Sequence, residues 1–292
     1  MSVSKNSKAI FVEKNEGIAD RQKKSMFGYA FPIALLILLS MLPTAFSLEP
    51  SYWSYWNRTP SKAMITLTID DGLVNVHTFM LPILKSRNIT ATAYVVTDYV
   101  GTVPGRMTVG DLRDLQANGW EIGSHTLDHK HLIYLPFLQA INELRDSKRW
   151  LLSNGFDVHS VAYPYGDENP QIRRLAAMFY DVSRSISGSY VSFKSIPFDK
   201  CVIAVSLPAD HNLTYKYIDR AIAEKSWLIF YFHNVYSNGT ITDNGQSLNE
   251  IADYISQKVK AGQLEVVTVT KGYQKLGGRL RPDYLQDYTA EW

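Results

Sequence analysis

Ile65-Thr66-Leu67-Thr68-Ile69-Asp70-Asp71-Gly72 is the stretch on which the reading of this chain turns. Its first five residues are apolar or β-branched, as a buried strand requires, and two adjacent carboxylates end it at a turn glycine. A lone Asp-Asp-Gly is an ordinary turn, because Asp bonds its own backbone and Gly accepts positive φ. Its weight comes from a second stretch, Ile122-Gly123-Ser124-His125-Thr126-Leu127-Asp128-His129, where a short strand runs into two histidines four residues apart. One carboxylate and two imidazoles can hold a divalent cation such as Zn²⁺, with room left for water and substrate. On a helical turn, His125 and His129 would project from one face. Asp71 supplies the third ligand, and Asp70 stays free to act as a base.

Working outward, short apolar runs alternate with amphipathic stretches. Strands are predicted at Met64–Ile69, Ala91–Thr97, Glu121–Ser124, Val158–Tyr163, Trp227–His233 and Leu264–Val269, with a β-rich segment from Asp181 to Ser206. Helices are predicted at Val76–Ser86, Val109–Asn118 (closed by Gly119), Leu138–Asn154, Pro170–Met178, Tyr215–Glu224 and Leu248–Lys260. This order implies parallel strands joined by helical crossovers, hence a doubly wound sheet or a (β/α) barrel in one domain. Asp70-Asp71-Gly72, Ser124-His125, Tyr163-Pro164-Tyr165-Gly166 and His233-Asn234 each fall just past the C-terminal end of a predicted strand. In α/β barrels that face carries the active site.

The chain has 292 residues, 46% hydrophobic and 20% charged, which is globular composition. A net charge of +2 offers no basic field for nucleic acid. Cys201 is the single cysteine, so no intrachain disulfide is possible, and it reads as a small buried hydrophobe. Residues 1–26 are a polar leader expected in the cytoplasm. Residues 27–48 carry no charge and are long enough to cross a bilayer, with Arg21, Lys23 and Lys24 just before them. They read as a transmembrane anchor, or as a signal peptide cleaved after the small-x-small Ala45-Phe46-Ser47. Residues 49–61 form an aromatic linker, 62–275 the domain, and 276–292 a tail. The folded part is therefore expected outside the cytoplasm, held at the cell membrane or secreted.

Cleavage of an amide also needs an acid for the leaving amine, and His233, which follows six apolar residues, is the candidate. The Tyr163–Gly166 turn could aim a backbone N–H, that of Tyr165, at a developing oxyanion. His77, His159 and His211 sit in helical or loop contexts outside the site, and Asp128 and His131 read as solvated or helix-capping groups.

Taken in order, these residues resemble the polysaccharide deacetylases of the NodB-homology group, carbohydrate esterase family 4. Thr68-Ile69-Asp70-Asp71-Gly72 is similar to the family's T-F-D-D-G motif, and His125 to His129 to its H-[ST]-x-x-H motif. Ala162-Tyr163-Pro164-Tyr165-Gly166 is similar to R-x-P-Y-G with Ala162 in place of arginine, and Tyr231-Phe232-His233 to L-x-H. The resemblance spans about Lys62 to Tyr273. It implies a distorted (β/α)7 barrel that removes acetyl groups from N-acetylated, less often O-acetylated, sugars in chitin-like, poly-N-acetylglucosamine or peptidoglycan polymers. It implies Asp70 as base, Asp71, His125 and His129 as ligands of Zn²⁺ or a similar cation, His233 as acid and the Tyr165 N–H at the oxyanion. The sequence departs from the family at two points. The arginine that orients the base is missing at Ala162, and the aspartate that tunes the acid histidine has Asp210 as its candidate. Loss of the arginine motivates a second reading, a glycan-binding protein without turnover. An iron oxygenase could use the same two histidines and carboxylate, but the α/β alternation argues against it.

Overall fold

The computed structural model describes residues 61–187 and 200–281. The leader, the hydrophobic segment 27–48, nearly all of the linker and residues 282–292 of the tail lie outside the described residues. Among the described residues no helix is long and apolar enough to cross a membrane.

Among the described residues, eight strands, all paired in parallel, alternate with helices: β1 (Ala63–Ile69), β2 (Thr92–Val95), β3 (Glu121–Ser124), β4 (Ser160–Ala162), β5 (Val182–Ser187), β6 (Cys201–Ser206), β7 (Trp227–Phe232) and β8 (Leu264–Val266). The helices are α1 (Leu81–Lys85, entered through a π-helical turn Val76–Met80), α2 (Val109–Ala117), α3 (Phe137–Ser153), α4 (Pro170–Phe179), α5 (His211–Glu224), α6 (Leu248–Lys260) and α7 (Val269–Lys275). Strands β1 to β7 pair in sequence order, and β1 closes the ring by pairing with both β7 and β2. Closure excludes the doubly wound sheet and gives a seven-stranded barrel. It is lopsided: β1 meets β2 only through Thr68 and Ile69, while its lower part, Ala63 to Ile65, pairs with β8. Strand β8 thus fills the gap where β1 and β2 diverge.

Strand periodicity then sorts the residues. Ile65, Leu67 and Ile69 of β1 join the apolar layer shared with the helices, and Leu228, Phe230 and Phe232 of β7 do the same. The alternate positions Met64, Tyr94, Ala162, Val182, Val202, Trp227 and Ile229 form a separate cluster inside the barrel. Thr66 and Thr68 lie on that inner face and satisfy their hydroxyls on the Val267 and Phe230 carbonyls. Following the same parity upward, Asp70, Arg184 and His233 continue the inner rows of β1, β5 and β7.

The C-terminal segment closes the opposite end. The expected last strand Leu264–Val269 is shorter than the periodicity suggested. Val267 N–H still bonds the Ile65 carbonyl, but the Thr268 hydroxyl accepts from Lys271 N–H and caps a helix beginning at Val269. Tyr273 and Leu276 of this segment join the inner cluster. Helix α7 comes so near that a Cβ on Gly272 would overlap the Trp227 indole, whose Nε1 donates to Thr66 Oγ1 at 2.9 Å. The buried Cys201 fits its expected role. The remaining helices follow the predicted pattern: Leu112 and Leu115 of α2 point inward, and the helix opens on a Thr108–Asp111 capping box.

Gly272→Ala sets two effects against each other. Helix propensity favours alanine by about 1 kcal/mol, whereas overpacking against a pinned indole costs about 1–3 kcal/mol. Because Trp227 cannot retreat without losing its bond to Thr66, a net loss of up to about 2 kcal/mol is expected in urea unfolding. Unchanged or raised stability would show that the plug is loosely seated.

Candidate active site

At the C-terminal end of the barrel, β1 delivers Asp70 and Asp71 in opposite directions. Asp70 is buried on the inner face, and Asp71 takes φ 74°, which turns its carboxylate toward the loop after β3. Asp71 Oδ1 lies 3.7 Å from His125 Nε2 and 3.4 Å from His129 Nε2, and one ligand atom from each of the three residues lies within 4.8 Å of the others. Donors bound about 2 Å from one ion stand roughly 3–3.5 Å apart, so the set fits a small divalent cation with little movement. The chemistry of the set agrees. His125 Nδ1 donates to the Ala162 carbonyl at 2.9 Å, which leaves Nε2 as the nitrogen with a free lone pair. Burial pushes the His125 ring down to about 4 and lowers His129 too, so both rings are neutral, as ligands must be.

The two histidines do not occupy a helix, contrary to the spacing argument. They flank an irregular loop in which Thr126 (φ 66°) and His129 (φ 65°) both adopt the left-handed region, and that reversal folds the second ring back to the first. Such conformations cost about 1–3 kcal/mol each for a non-glycine residue. They are held by α3: buried Glu143 accepts from the Leu127 and Asp128 amides, both at 3.1 Å, while Ser147 bonds Ser124 Oγ at 2.7 Å.

The residue opposite Ala162 supplies what Ala162 lacks. Arg184 of β5 is the parallel-register partner of Ala162 on β4. Its guanidinium reaches the barrel centre and donates through Nη2 to Asp70 Oδ1 at 2.5 Å and Oδ2 at 2.6 Å. Only 1% of Arg184 is exposed, and its guanidinium faces the rings of Tyr94 (5.1 Å) and Tyr231 (5.7 Å). Burial alone would push the Asp70 carboxyl up. Arg184, helped by His125 and His233, overcomes that and holds it below the ordinary carboxylate range. Sequence reasoning missed Arg184 because it lay in the β-rich segment whose strands were not divided; the alternation Val182-Ser183-Arg184 was the available signal.

His233 follows β7. Its Nδ1 lies 2.6 Å from Asp243 Oδ2, and its backbone N–H donates to the same oxygen at 3.2 Å. That hydrogen bond raises the imidazole pKa against a smaller lowering by burial, with Asp70 adding to the rise. Asp243, not Asp210, is therefore the partner. Asp210 caps α5, accepting from Asn212 N–H at 2.9 Å. Nothing near Asp243 in sequence marks it, since the loop that carries it is defined by contacts with Asn234 and Thr242.

Tyr165 sits at φ 59° inside the Pro164–Gly166 turn, which is closed by Gly166 N–H to the Tyr163 carbonyl rather than by the Tyr165 amide. His77 pairs with Asp111 and Asp114, His159 with Asp181, and His211 with Glu250, all outside the site. His131 precedes the Leu132–Tyr134 3₁₀ turn with its side chain partly in solvent, as expected, and it also stacks on Tyr165. Asp128 turns to Lys130 and lies beside Glu143.

The sequence model of the polysaccharide deacetylase family matches residues 57–179, a span that ends before Arg184, His233 and Asp243. YxkH of Bacillus subtilis (strain 168), whose name as a polysaccharide deacetylase is itself provisional, is 29% identical over 130 residues. Those residues are 44% of this chain and 46% of YxkH, so the match spans under half of that relative's length. Among solved structures, the Xyl-CE4 domain of a multidomain xylanase from the hindgut metagenome of Trinervitermes trinervoides superposes with a TM-score of 0.50 at 19% identity. That superposition covers 77% of this chain and 96% of the domain, and it shows the shared barrel fold. The Streptococcus pyogenes deacetylase PplD in complex with acetate has a TM-score of 0.48 at 22% identity, over 54% of this chain and 72% of its own.

Removing one side of the Arg184–Asp70 pair leaves the other buried and uncompensated. Arg184→Met is expected to cost about 3–5 kcal/mol in chemical unfolding. Because Asp70→Asn removes the same pair, the double variant should lose about 2 kcal/mol less than the sum of the two singles. Additive losses would mean that the two groups do not interact as a unit.

Proposed function

We propose that this chain, whose residues 57–179 match the polysaccharide deacetylase family, is a member of that family and hydrolyses N-acetyl groups on an N-acetylglucosamine-containing polysaccharide outside the cytoplasm. The observation that carries the reading is the juxtaposition of a buried carboxylate, kept ionised by Arg184, with the Asp71–His125–His129 donor set. Asp71, His125 and His129 would hold a divalent cation, Zn²⁺ by the nature of the donors, which when bound would polarise the acetyl carbonyl and make water more acidic.

The protein's own groups do the rest. Asp70 takes a proton from the attacking water, whose oxygen joins the acetyl carbon. The Tyr165 N–H donates to the oxygen on which negative charge develops. His233, kept protonated by Asp243, gives its proton to the sugar nitrogen as the carbon–nitrogen bond breaks, releasing acetate and a free amine. Arg184 fixes the direction of the Asp70 oxygens and keeps the carboxylate unprotonated while it waits. The binding-only reading rested on the alanine at 162, and an arginine at the same level on the next strand removes its motive. Residues 27–48 would hold the domain at the outer face of the membrane, or release it if cleaved.

Acetate release from chitin oligomers, poly-N-acetylglucosamine and peptidoglycan fragments, with and without chelator, tests this reading. Asp70→Asn should fall by at least about a thousandfold, and chelation should abolish turnover until a divalent metal is restored. Full activity in Asp70→Asn would sink the base assignment.

His233 also gives a pH dependence of known sign. An acid catalyst must be protonated, so activity should decline as pH rises through the elevated His233 pKa. Asp243→Asn removes the hydrogen bond that raises it, so the alkaline limb of kcat/KM should move to lower pH. An unmoved limb would separate His233 from the proton donated to the leaving amine.

A further inference from the structure

A row of aromatic rings leads from the metal-ligand set onto open surface. His129 makes an edge contact with Tyr165 at 4.7 Å, Tyr165 stacks on His131 at 3.6 Å with the rings 8° from parallel, and His131 meets Tyr134 at 5.6 Å. Tyr165 is 52% exposed and Tyr134 76%. Neither ring fills the core, yet neither is left to move freely. Tyr165 is locked by a left-handed backbone (φ 59°), and a side chain on Gly166 in place of hydrogen would strike Ile186. His131 is held from its edge by Asp167, with Nδ1 2.6 Å from Oδ2. Tyr134 ends a 3₁₀ turn whose first residue, Leu132, is buried in the main core. Rigid, exposed rings that contribute nothing to the interior mark a surface built to receive an apolar face.

We propose that His131 and Tyr134, continuing outward from Tyr165, form a stacking platform for a pyranose ring of the glycan next to the sugar being deacetylated. The proposal rests on the function stated above and adds the two residues, His131 and Tyr134, that would seat the neighbouring sugar. The occupant follows from position and chemistry. The row starts at a metal ligand, so whatever lies on it is continuous with the group at the metal. A β-linked glucose-type ring exposes axial C–H bonds on its faces and hydroxyls around its rim. The faces match aromatic π surfaces, and the rim matches the Tyr134 hydroxyl and the Asp167 carboxylate beside the row. A planar imidazole pinned by a carboxylate adds flat area without losing rotamer freedom on binding.

The test has a binding arm and a turnover arm. In the binding arm, Asp70→Asn protein is titrated calorimetrically with the tetramer and the monomer of N-acetylglucosamine, with and without Tyr134→Ala or Asp167→Asn. The tetramer should bind more tightly than the monomer, and Tyr134→Ala should weaken tetramer binding about tenfold while Tyr134→Phe changes it little. In the turnover arm, Tyr134→Ala in the otherwise native protein should raise KM for the tetramer with kcat and hydrolysis of a small acetyl ester unchanged. Acetate release with tetramer affinity indifferent to Tyr134 would overturn the platform and leave the proposed function standing. Tyr134-dependent tetramer binding without acetate release would overturn the function and keep the platform. Equal affinity for monomer and tetramer would overturn the platform outright.

Discussion

The structure depends on a charge pair where a barrel interior would ordinarily be apolar. Asp70 and Arg184 meet at the centre of the ring, both almost wholly buried and joined by two short hydrogen bonds. An isolated charge there would be prohibitively costly, so each residue requires the other, and the pair constrains what can surround it. Tyr94 and Tyr231 turn ring faces toward the guanidinium, and Gly123 is bare because a Cβ would strike Tyr94. The same pair links β1 to β5, strands on opposite sides of the barrel that share no backbone hydrogen bonds.

Around that pair the site is assembled by polar groups that a simple amphipathic reading discounts. Helix α3 buries Glu143, Ser147 and Lys148 along with Ala140, Leu144 and Leu151. Glu143 and Ser147 hold the loop and strand end that carry His125 and His129, and Lys148 donates to the Phe179 carbonyl at the end of α4. The left-handed backbones at Asp71, Thr126, His129 and Tyr165 are stable because such bonds and the barrel rim over-determine them. Strain of this kind gathers where ligand direction matters more than local preference.

How much was legible in the residues varies by element. Strand β1, helix α2 and the alternation of strands with helices followed from periodicity and capping, which are local. Asp71, His125 and His129 were legible because two of them share a short segment and the third ends an unmistakable strand. The helical placement of His125 and His129 failed because spacing alone does not say whether the backbone is helical, and here tertiary bonds from α3 favoured a reversal. Asp243 and His131 were missed for a related reason: each acquires meaning only from a partner outside its own local pattern, His233 on the far side of an irregular loop and Tyr165 on another strand end.

By itself the sequence determined the class of fold and singled out Asp71, His125 and His129, the neighbouring Asp70 and His233 as the polar groups to bring together, because each is written in short-range pattern at a strand end. Tertiary structure decided that the ring closes between β1 and β2, that Asp243 rather than Asp210 faces His233, and that the arginine opposing Asp70 arrives from β5. The last point shows the physical reason most directly. Ala162 and Arg184 are 22 positions apart in the chain but are register partners on adjacent parallel strands. A cation reaches the same carboxylate from either strand, and electrostatics depends on position in space, which strand pairing sets.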